Sequence, residues 1–204
     1  MSERKDWSGN KKSVWAALAA NNHSDAIRES NDYYATDPHS VEIFLDALKR
    51  DFVVIRNKIW ECACGEGNIS EVLEKKGYQV MSTDLIDRGY GISGVDFLNC
   101  MYKEPEVDIL TNPPYKYAKE FVEHALEISS KGDYVIMYLK IQFLEGKARR
   151  ELFEKYPPKY IYVNSERQIC ALNNNFESIK SSAICYCWFI WEKGYKGDSF
   201  VRWI

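Results

Sequence analysis

The sequence lacks any apolar run that approaches the roughly 20 residues needed for a membrane-spanning helix. Residues 1–5 are likewise not followed by the apolar core of a secretory signal peptide. These two absences lead us to expect a cytoplasmic protein that does not associate with a membrane. The 204 residues, of which 46% are hydrophobic and 28% charged, have the composition of an ordinary globular domain.

Cysteine patterns typical of metal sites are absent as well. Six cysteines are present, but neither Cys62/Cys64 nor Cys185/Cys187 has the two-residue spacing of a zinc knuckle. Both pairs lie in apolar stretches of the sequence. We therefore expect reduced thiols in a protein core, and no metal site.

The sequence also has little excess positive charge. Its net charge of -3 argues against a dedicated high-affinity duplex binder, because neutralising phosphates requires lysine and arginine. Residues 140–160 are an exception, with six basic side chains against three acidic ones. This stretch is either a phosphate-binding surface or the solvated face of a helix.

No repeat or low-complexity segment divides the chain. Residues 1–32 are polar and predict a loosely ordered arm, whereas residues 33–204 predict a single domain. In that domain Asp37-Pro38 is a typical helix start, an N-cap residue followed by proline at the first helical position. Apolar runs predict strands at 58–62, 78–83, 107–111, 134–139, 160–163 and 183–191, and helical periodicity predicts helices at 68–76, 117–129 and 144–156.

This alternation of strands and helices predicts an α/β fold of the Rossmann-like type, with a mostly parallel sheet and helices on both faces. The last predicted strand follows another strand without a clear helix between them, so we expect it to insert antiparallel. Gly194 and Gly197 then mark turns. An antiparallel ending is typical of a methyltransferase sheet rather than of a dehydrogenase sheet.

A dinucleotide fingerprint is present only in part. Gly65 and Gly67 form a tight turn after the first strand of the sheet, but Ser70 stands where the third glycine would be. Glu61 ends that strand, and Asp84 ends the next one, at the distance expected of a ribose-binding carboxylate. Acids around a turn without a full pyrophosphate fingerprint favour a cationic cofactor with a ribose, and S-adenosylmethionine is such a molecule.

We assign roles around this cofactor as hypotheses. Glu61 faces the methionine ammonium, and the backbone from Cys64 to the second glycine packs against the methionyl and ribose part. Asp84, with Leu85 beside it, accepts hydrogen bonds from the ribose hydroxyls. Asp96 and Phe97 meet the adenine amino group and ring. The alternative for either aspartate is a helix cap or a surface acid.

The most specific signal is the tetrapeptide Asn112-Pro113-Pro114-Tyr115, directly after the strand at 107–111. A proline pair at the end of a parallel strand stiffens the turn and removes two amide donors. The groups that remain are acceptors, namely the side-chain oxygen of Asn112 and the carbonyl of Pro113. Tyr115 adds an aromatic face.

Such a turn suits methylation of an exocyclic amine. The lone pair of this nitrogen is delocalised into the ring, and two fixed acceptors on its N–H bonds favour a pyramidal nitrogen that can attack a methyl group. The same acceptors stabilise the positive charge that develops on the nitrogen. A rigid turn also supplies the alignment that in-line transfer needs, and Tyr115 would stack on an extruded base.

The tetrapeptide and the glycine turn together resemble those of the amino-methylating class I methyltransferases, chiefly N6-adenine DNA methyltransferases of small phages and prophages. Tyr34-Ala35-Thr36-Asp37-Pro38 is similar to the N-terminal Tyr-x-Thr-Pro motif of that family, which closes over the methionyl end of the cofactor. The resemblance therefore implies that Tyr34 and Thr36 bind the cofactor. It also implies a seven-stranded sheet and S-adenosylmethionine as the methyl donor.

The substrate is less well specified than the reaction. The resemblance implies DNA, but RNA, cytosine N4, a protein glutamine amide and a non-catalytic module that binds the cofactor all remain open. Too few residues follow Tyr115 to complete the sheet and also form a separate target-recognition domain, so a homodimer could supply the missing surface. Candidate contacts to the substrate are Tyr115, Lys116, Arg149, Arg150 and Arg167, with the loop at 167–182.

Overall fold

The computed structural model describes residues 34–101, 105–166, 168, 170–172 and 184–204. The polar arm predicted at 1–32 and the candidate Arg167 lie outside these residues, as does most of the loop at 167–182. The prediction of a single domain over 33–204 stays a prediction.

In the described residues, nine strands form one large sheet and one small ribbon. The seven-stranded sheet has the order β3-β2-β4-β5-β8-β6-β9, and the ribbon pairs β1 with β7 antiparallel. The strands are β1 (Tyr34–Thr36), β2 (Lys58–Glu61), β3 (Gln79–Ser82), β4 (Asp108–Thr111), β5 (Tyr134–Lys140), β6 (Tyr160–Val163), β7 (Cys170–Leu172), β8 (Tyr186–Glu192) and β9 (Phe200–Trp203).

Within the same described ranges, four α-helices connect these strands. They are α1 (Pro38–Arg50), α2 (Asn68–Lys75), α3 (Ala118–Ile128) and α4 (Lys147–Lys155), with short 3-10 helices at Phe97–Asn99, Tyr115–Tyr117 and Ile141–Leu144. The predicted start of α1 is confirmed, since the Asp37 side chain accepts a hydrogen bond from the main-chain N–H of His39 at 2.9 Å.

The helices cover both faces of the sheet. On one face α1 and α2 bury Phe44 and Leu73 against Leu110, Tyr138 and other residues of the strands. On the other face α3 and α4 pack a second apolar cluster around Ile109, Met137 and Phe189. Since successive strand residues point to opposite faces, β4 and β5 contribute to both clusters. The predicted α/β fold with helices on both faces is confirmed.

The end of the chain differs in detail from the sequence prediction. The predicted antiparallel strand is β8, which lies between β5 and β6 and is antiparallel to both. The turns at Gly194 and Gly197 then lead to an additional strand, β9, which pairs parallel with β6 at the edge of the sheet. The helix predicted at 144–156 begins only at Lys147, because Gly146 before it has a φ of 105°.

A buried carboxylate at the amino edge of the sheet has a structural role. Asp108 begins β4 and accepts hydrogen bonds from the main-chain N–H groups of Arg56 and Tyr134, each at 2.7 Å. Burial raises the pKa of Asp108 to about 6. This group ties the loop before β2 to the start of β5, at the opposite edge from the predicted site.

Candidate functional site

A cavity of about 360 Å³ opens at the carboxyl edge of the sheet, a size typical of small-molecule sites. The ends of β2 and β4, the segment after β3 and the whole of β1 line it. The structure brings most of the predicted site residues together there: Tyr34, Thr36, Glu61, Cys64, Asp84, Leu85, Asp96, Phe97, Asn112, Pro113, Pro114, Tyr115 and Lys116.

The two glycines of the turn shape this edge and are not part of the cavity lining. Gly65 and Gly67 both have positive φ angles, 57° and 87°. A Cβ atom on Gly67 would lie 2.6 Å from the ring of Tyr90, so only glycine fits beneath that ring. The main-chain N–H of Gly65 donates to Asp84 across the turn. The glycines therefore position the acids that do face the cavity.

Asp84 is held by two main-chain donors. Its Oδ2 accepts from the N–H of Gly65 at 2.8 Å, and its Oδ1 accepts from the N–H of Ile86 at 2.9 Å. A carboxylate oxygen has two acceptor sites, so each oxygen retains capacity for one further donor. The carboxylate is thus fixed in orientation and can still accept from a ligand.

Glu61 is a buried acid, 1% exposed, at the end of β2. The Ser70 hydroxyl donates to its Oε2, and the hydroxyl of Ser82 lies 2.6 Å from that of Ser70. Burial raises the pKa of Glu61 to about 8. Sequence reasoning noted Ser70 only as a missing glycine. Ser70 lies in the first turn of α2 and faces the strand before the glycine turn, and this position could have predicted its hydrogen bond to Glu61.

Asp96 combines a cavity position with a structural hydrogen-bonding role. Its Oδ1 accepts from the N–H of Leu98 at 3.1 Å and its Oδ2 from the side chain of Asn99 at 2.6 Å, which caps the 3-10 helix at Phe97–Asn99. Phe97 is 2% exposed and packs edge-on against Trp60. The alternative of a helix cap therefore holds for Asp96, and its contact with a cofactor stays a prediction.

The amide of Asn112 has a defined orientation. Its Nδ2 donates to the carbonyl oxygen of Tyr34 and to the hydroxyl oxygen of Thr36, both at 2.9 Å. A main-chain carbonyl only accepts, so the nitrogen must be the atom that faces β1. The Oδ1 atom is buried and has no hydrogen-bond partner among the described residues. Thr111, Tyr162, Asn164 and Trp188 have such atoms too, but Asn112 is the one of these five residues that lines the cavity, where a ligand could supply a donor.

The ring of Tyr115 belongs to an aromatic cluster at the rim. It stacks on the ring of Tyr34, with 5.6 Å between ring centroids and 29° between ring planes. The Nζ of Lys140 lies 4.4 Å from the centroid of Tyr115 and 5.8 Å from that of Tyr34. Stacking of Tyr115 on a substrate base stays a prediction. Lys140 was not predicted, although it ends the strand next to β4.

The predicted arginines lie outside the cavity lining. Arg149 donates to the carbonyls of Glu145 and Gln142, and Arg150 forms an ion pair with Glu154 at 2.6 Å. Both sit in the first turn of α4, which follows the carboxyl end of β5 and so lies at the same edge as the cavity. Their predicted contact with the substrate stays a prediction, as does that of the exposed Lys116.

The remaining expectations concern cysteines, metals and membranes. Cys62, Cys64 and Cys187 are buried free thiols, and burial raises the pKa of Cys62 well above its usual value. The described residues contain no group of three or more His, Cys, Asp or Glu side chains arranged to hold a metal ion. Within the same part of the chain no helix has the length and apolar character to cross a bilayer.

Comparison with known proteins identifies a fold and no close sequence relative. No family model and no curated protein matches the sequence. A proposed class I S-adenosylmethionine-dependent methyltransferase from Listeria monocytogenes superposes with a TM-score of 0.61 at 15% identity, over 95% of this chain and 72% of that one. A proposed RNA methyltransferase from Pyrococcus horikoshii gives a TM-score of 0.60 at 14% identity, over 90% and 99%.

Part of a longer enzyme has the same fold. The type IIG restriction endonuclease BpuSI matches with a TM-score of 0.60 at 15% identity, over 90% of this chain and 28% of its own. At such low identities these matches establish the architecture of the chain alone. They agree with the strand order and the antiparallel β8.

Proposed function

We propose that this chain, which has the fold of class I S-adenosylmethionine-dependent methyltransferases, transfers a methyl group from S-adenosylmethionine to an exocyclic amino nitrogen, N6 of adenine in DNA. The observation that carries the proposal is the buried Oδ1 of Asn112, a residue that lines the cavity: this acceptor has no partner in the part of the chain that the structure describes. An N–H bond of the substrate amine is the donor that this atom lacks.

The cavity suits the cofactor by charge. Glu61 would hold the ammonium of the methionyl part, because a buried carboxylate is unfavourable unless a cation pairs with it. Asp84 would hold the ribose hydroxyls with the acceptor sites that its two main-chain donors leave free. Phe97 and Leu85 would pack on the adenine. The cofactor supplies an electrophilic methyl group on a sulfonium.

The protein's contribution to transfer is positioning and electrostatic stabilisation. The Oδ1 of Asn112 and the carbonyl of Pro113 accept the two N–H bonds of the amine and direct its lone pair toward the methyl group. Because both acceptors are fixed before the substrate arrives, little reorganisation accompanies the appearance of positive charge on the nitrogen. The stack with Tyr34 holds Tyr115 beside this point.

Nucleic acid is the substrate class that several features favour. The tetrapeptide at 112–115 resembles that of N6-adenine DNA methyltransferases, and proteins of the same fold include a proposed RNA methyltransferase and a restriction endonuclease. Lys116 at the rim of the cavity and the basic first turn of α4 lie at the edge that a nucleic acid would approach.

Transfer of tritium from labelled S-adenosylmethionine to DNA, RNA and protein, assayed in parallel, tests the proposal. We expect label in DNA, with N6-methyladenine identified by mass spectrometry of the nucleosides. Label in RNA or protein, or N4-methylcytosine in DNA, would support methylation of an amino or amide nitrogen and would contradict adenine in DNA as the substrate. Binding of the cofactor without transfer to any acceptor would instead indicate a non-catalytic module.

Substitution of Asp84 tests the cofactor assignment separately. We expect Asp84→Ala to weaken binding of S-adenosylmethionine about ten- to thirtyfold in calorimetric titration, because two hydrogen bonds to a charged acceptor are lost. Asp87→Ala is the matched control, since that exposed acid bonds only to the nearby N–H of Gly89 and is not part of the lining. Undiminished binding by Asp84→Ala would remove the ribose assignment.

A further inference from the structure

We infer that Thr36 is a positioning residue, which holds the Asn112 amide in the orientation that turns its oxygen, rather than its nitrogen, toward the substrate. This inference rests on the proposed function and adds a role for β1 that differs from contact with the cofactor. Its basis is the pair of hydrogen bonds from Nδ2 of Asn112 to the Thr36 hydroxyl and the Tyr34 carbonyl.

β1 has only three residues, but three of its groups contact the tetrapeptide at 112–115. The carbonyl of Tyr34 and the hydroxyl of Thr36 receive the two N–H bonds of Asn112, and the ring of Tyr34 stacks on Tyr115. One short strand therefore orients both the acceptor and the aromatic face of the proposed site. Thr36 is 2% exposed, so water does not compete for its hydroxyl.

β1 is itself held on two sides. It pairs antiparallel with β7, with Thr36 opposite Cys170 and Tyr34 opposite Leu172. Immediately after it, Asp37 caps α1, which is anchored in the apolar cluster on that face of the sheet. A strand held by a paired neighbour and by the helix that follows it can impose an orientation on a side chain that would otherwise rotate.

The orientation matters because the two ends of an amide have opposite hydrogen-bonding character. Rotating the Asn112 amide by half a turn would place Oδ1 against the Tyr34 carbonyl, so that two acceptors face each other. It would also direct an N–H group at the substrate amine, which is a donor. The Tyr34 carbonyl, which can only accept, selects this orientation, and the bond to the Thr36 hydroxyl holds the Asn112 side chain in it. Loss of the hydroxyl should therefore reduce the fraction of enzyme that is ready to react.

The test compares Thr36→Val, which keeps the shape and removes the hydroxyl, with Thr36→Ser, which keeps the hydroxyl. We expect Thr36→Val to lower kcat about tenfold at saturating cofactor, with the Kd for S-adenosylmethionine within twofold of wild type. Thr36→Ser should stay within threefold of the wild-type kcat. Ser40→Ala is the control, because it removes another buried hydroxyl that bonds to Tyr138 away from the cavity lining.

A second measurement does not depend on activity. Exchange of the Asn112 side-chain amide protons, followed by NMR with Asn112→Asp to assign the signal, should be slow in the wild type and faster in Thr36→Val. If the wild type transfers no methyl group but shows this pattern, the proposed function fails and the orienting role stands.

Three results would overturn the inference: an unchanged kcat in Thr36→Val, an equal loss in Thr36→Ser, or a raised cofactor Kd with unchanged kcat. The last result would make Thr36 a cofactor contact.

Discussion

Replacing Asn112 with alanine is expected to lower kcat by a factor of about 10²–10³, the usual cost of removing one preorganised hydrogen-bonding group from a charge-stabilising site. The Oδ1 atom is already buried before the substrate binds, and it has no partner within residues 34–101, 105–166, 168, 170–172 and 184–204. The free-energy cost of removing water from this atom is therefore met when the protein folds, before the substrate binds. The hydrogen bond to the amine reaches its full strength only in the transition state, where positive charge develops on the nitrogen. The measurement is single-turnover methyl transfer to the acceptor identified by the labelling experiment.

Binding of the cofactor separates a catalytic loss from a damaged fold. The Kd of Asn112→Ala for S-adenosylmethionine should stay within about threefold of wild type, because Glu61 and Asp84 carry the polar contacts in our assignment. Asn57→Ala is the matched control, since Asn57 is exposed before β2, at the opposite edge of the sheet. A fully active Asn112→Ala variant would refute the mechanism, because no other side chain of the tetrapeptide offers an amide acceptor.

Elements with strong local signals could be predicted well from the sequence. α2 was predicted at 68–76 and is found at Asn68–Lys75, because Gly67 before it and Gly77 after it fix its ends locally. The strands β2, β4 and β5 were found within two residues of their predicted bounds. Each is a buried apolar run that a turn terminates, and such a run needs no distant partner to be recognised.

Elements that depend on distant pairing could not be predicted in this way. β1 and β7 are three-residue strands that are far apart in the sequence, and neither has a run long enough to show a period. β9 is four residues long and lies at the edge beside β6, after two glycines that predicted only turns. In each case the backbone is extended because of its tertiary neighbour.

The contacts in the site likewise differ in how far the sequence could predict them. The spacing between the glycine turn and Asp84 predicted their proximity, and the hydrogen bond from Gly65 to Asp84 agrees with it. The contact between Thr36 and Asn112 joins residues far apart in sequence, and nothing local to either predicted it. Motifs therefore indicated which residues meet at the edge, while their hydrogen-bond partners required the fold.

Cofactor affinity is expected to increase by up to about fiftyfold between pH 6 and pH 8, and Glu61 is the reason. Burial raises the pKa of its carboxyl to about 8, so at pH 6 the free protein holds Glu61 protonated. The ammonium of the methionyl part favours the carboxylate, and binding must therefore release a proton. Each unit of pH below 8 then weakens binding up to tenfold, as long as the pKa in the complex lies lower still.

The raised pKa of Glu61 also predicts how the stability of the fold changes with pH. A carboxyl whose pKa is raised in the folded state stabilises the fold at low pH, and this contribution is lost as the pH rises from the unfolded value of 4.5 through about 8. The cofactor-free protein should accordingly lose stability over this interval, as denaturant unfolding can measure. Saturating cofactor should reduce the loss, because the ammonium then compensates the buried charge.

Titration calorimetry in two buffers of different ionisation enthalpy measures the proton release directly. We expect the wild type to release nearly one proton at pH 7. The control variant Glu71→Gln should do the same, because Glu71 is an exposed residue on α2 that pairs with Lys75. In Glu61→Gln the release should vanish and the affinity should become flat between pH 6 and pH 7.5. Above about pH 8 affinity should fall for both proteins, because an α-amino group loses its own proton there. Proton release that persists in Glu61→Gln would place the ammonium against another acid.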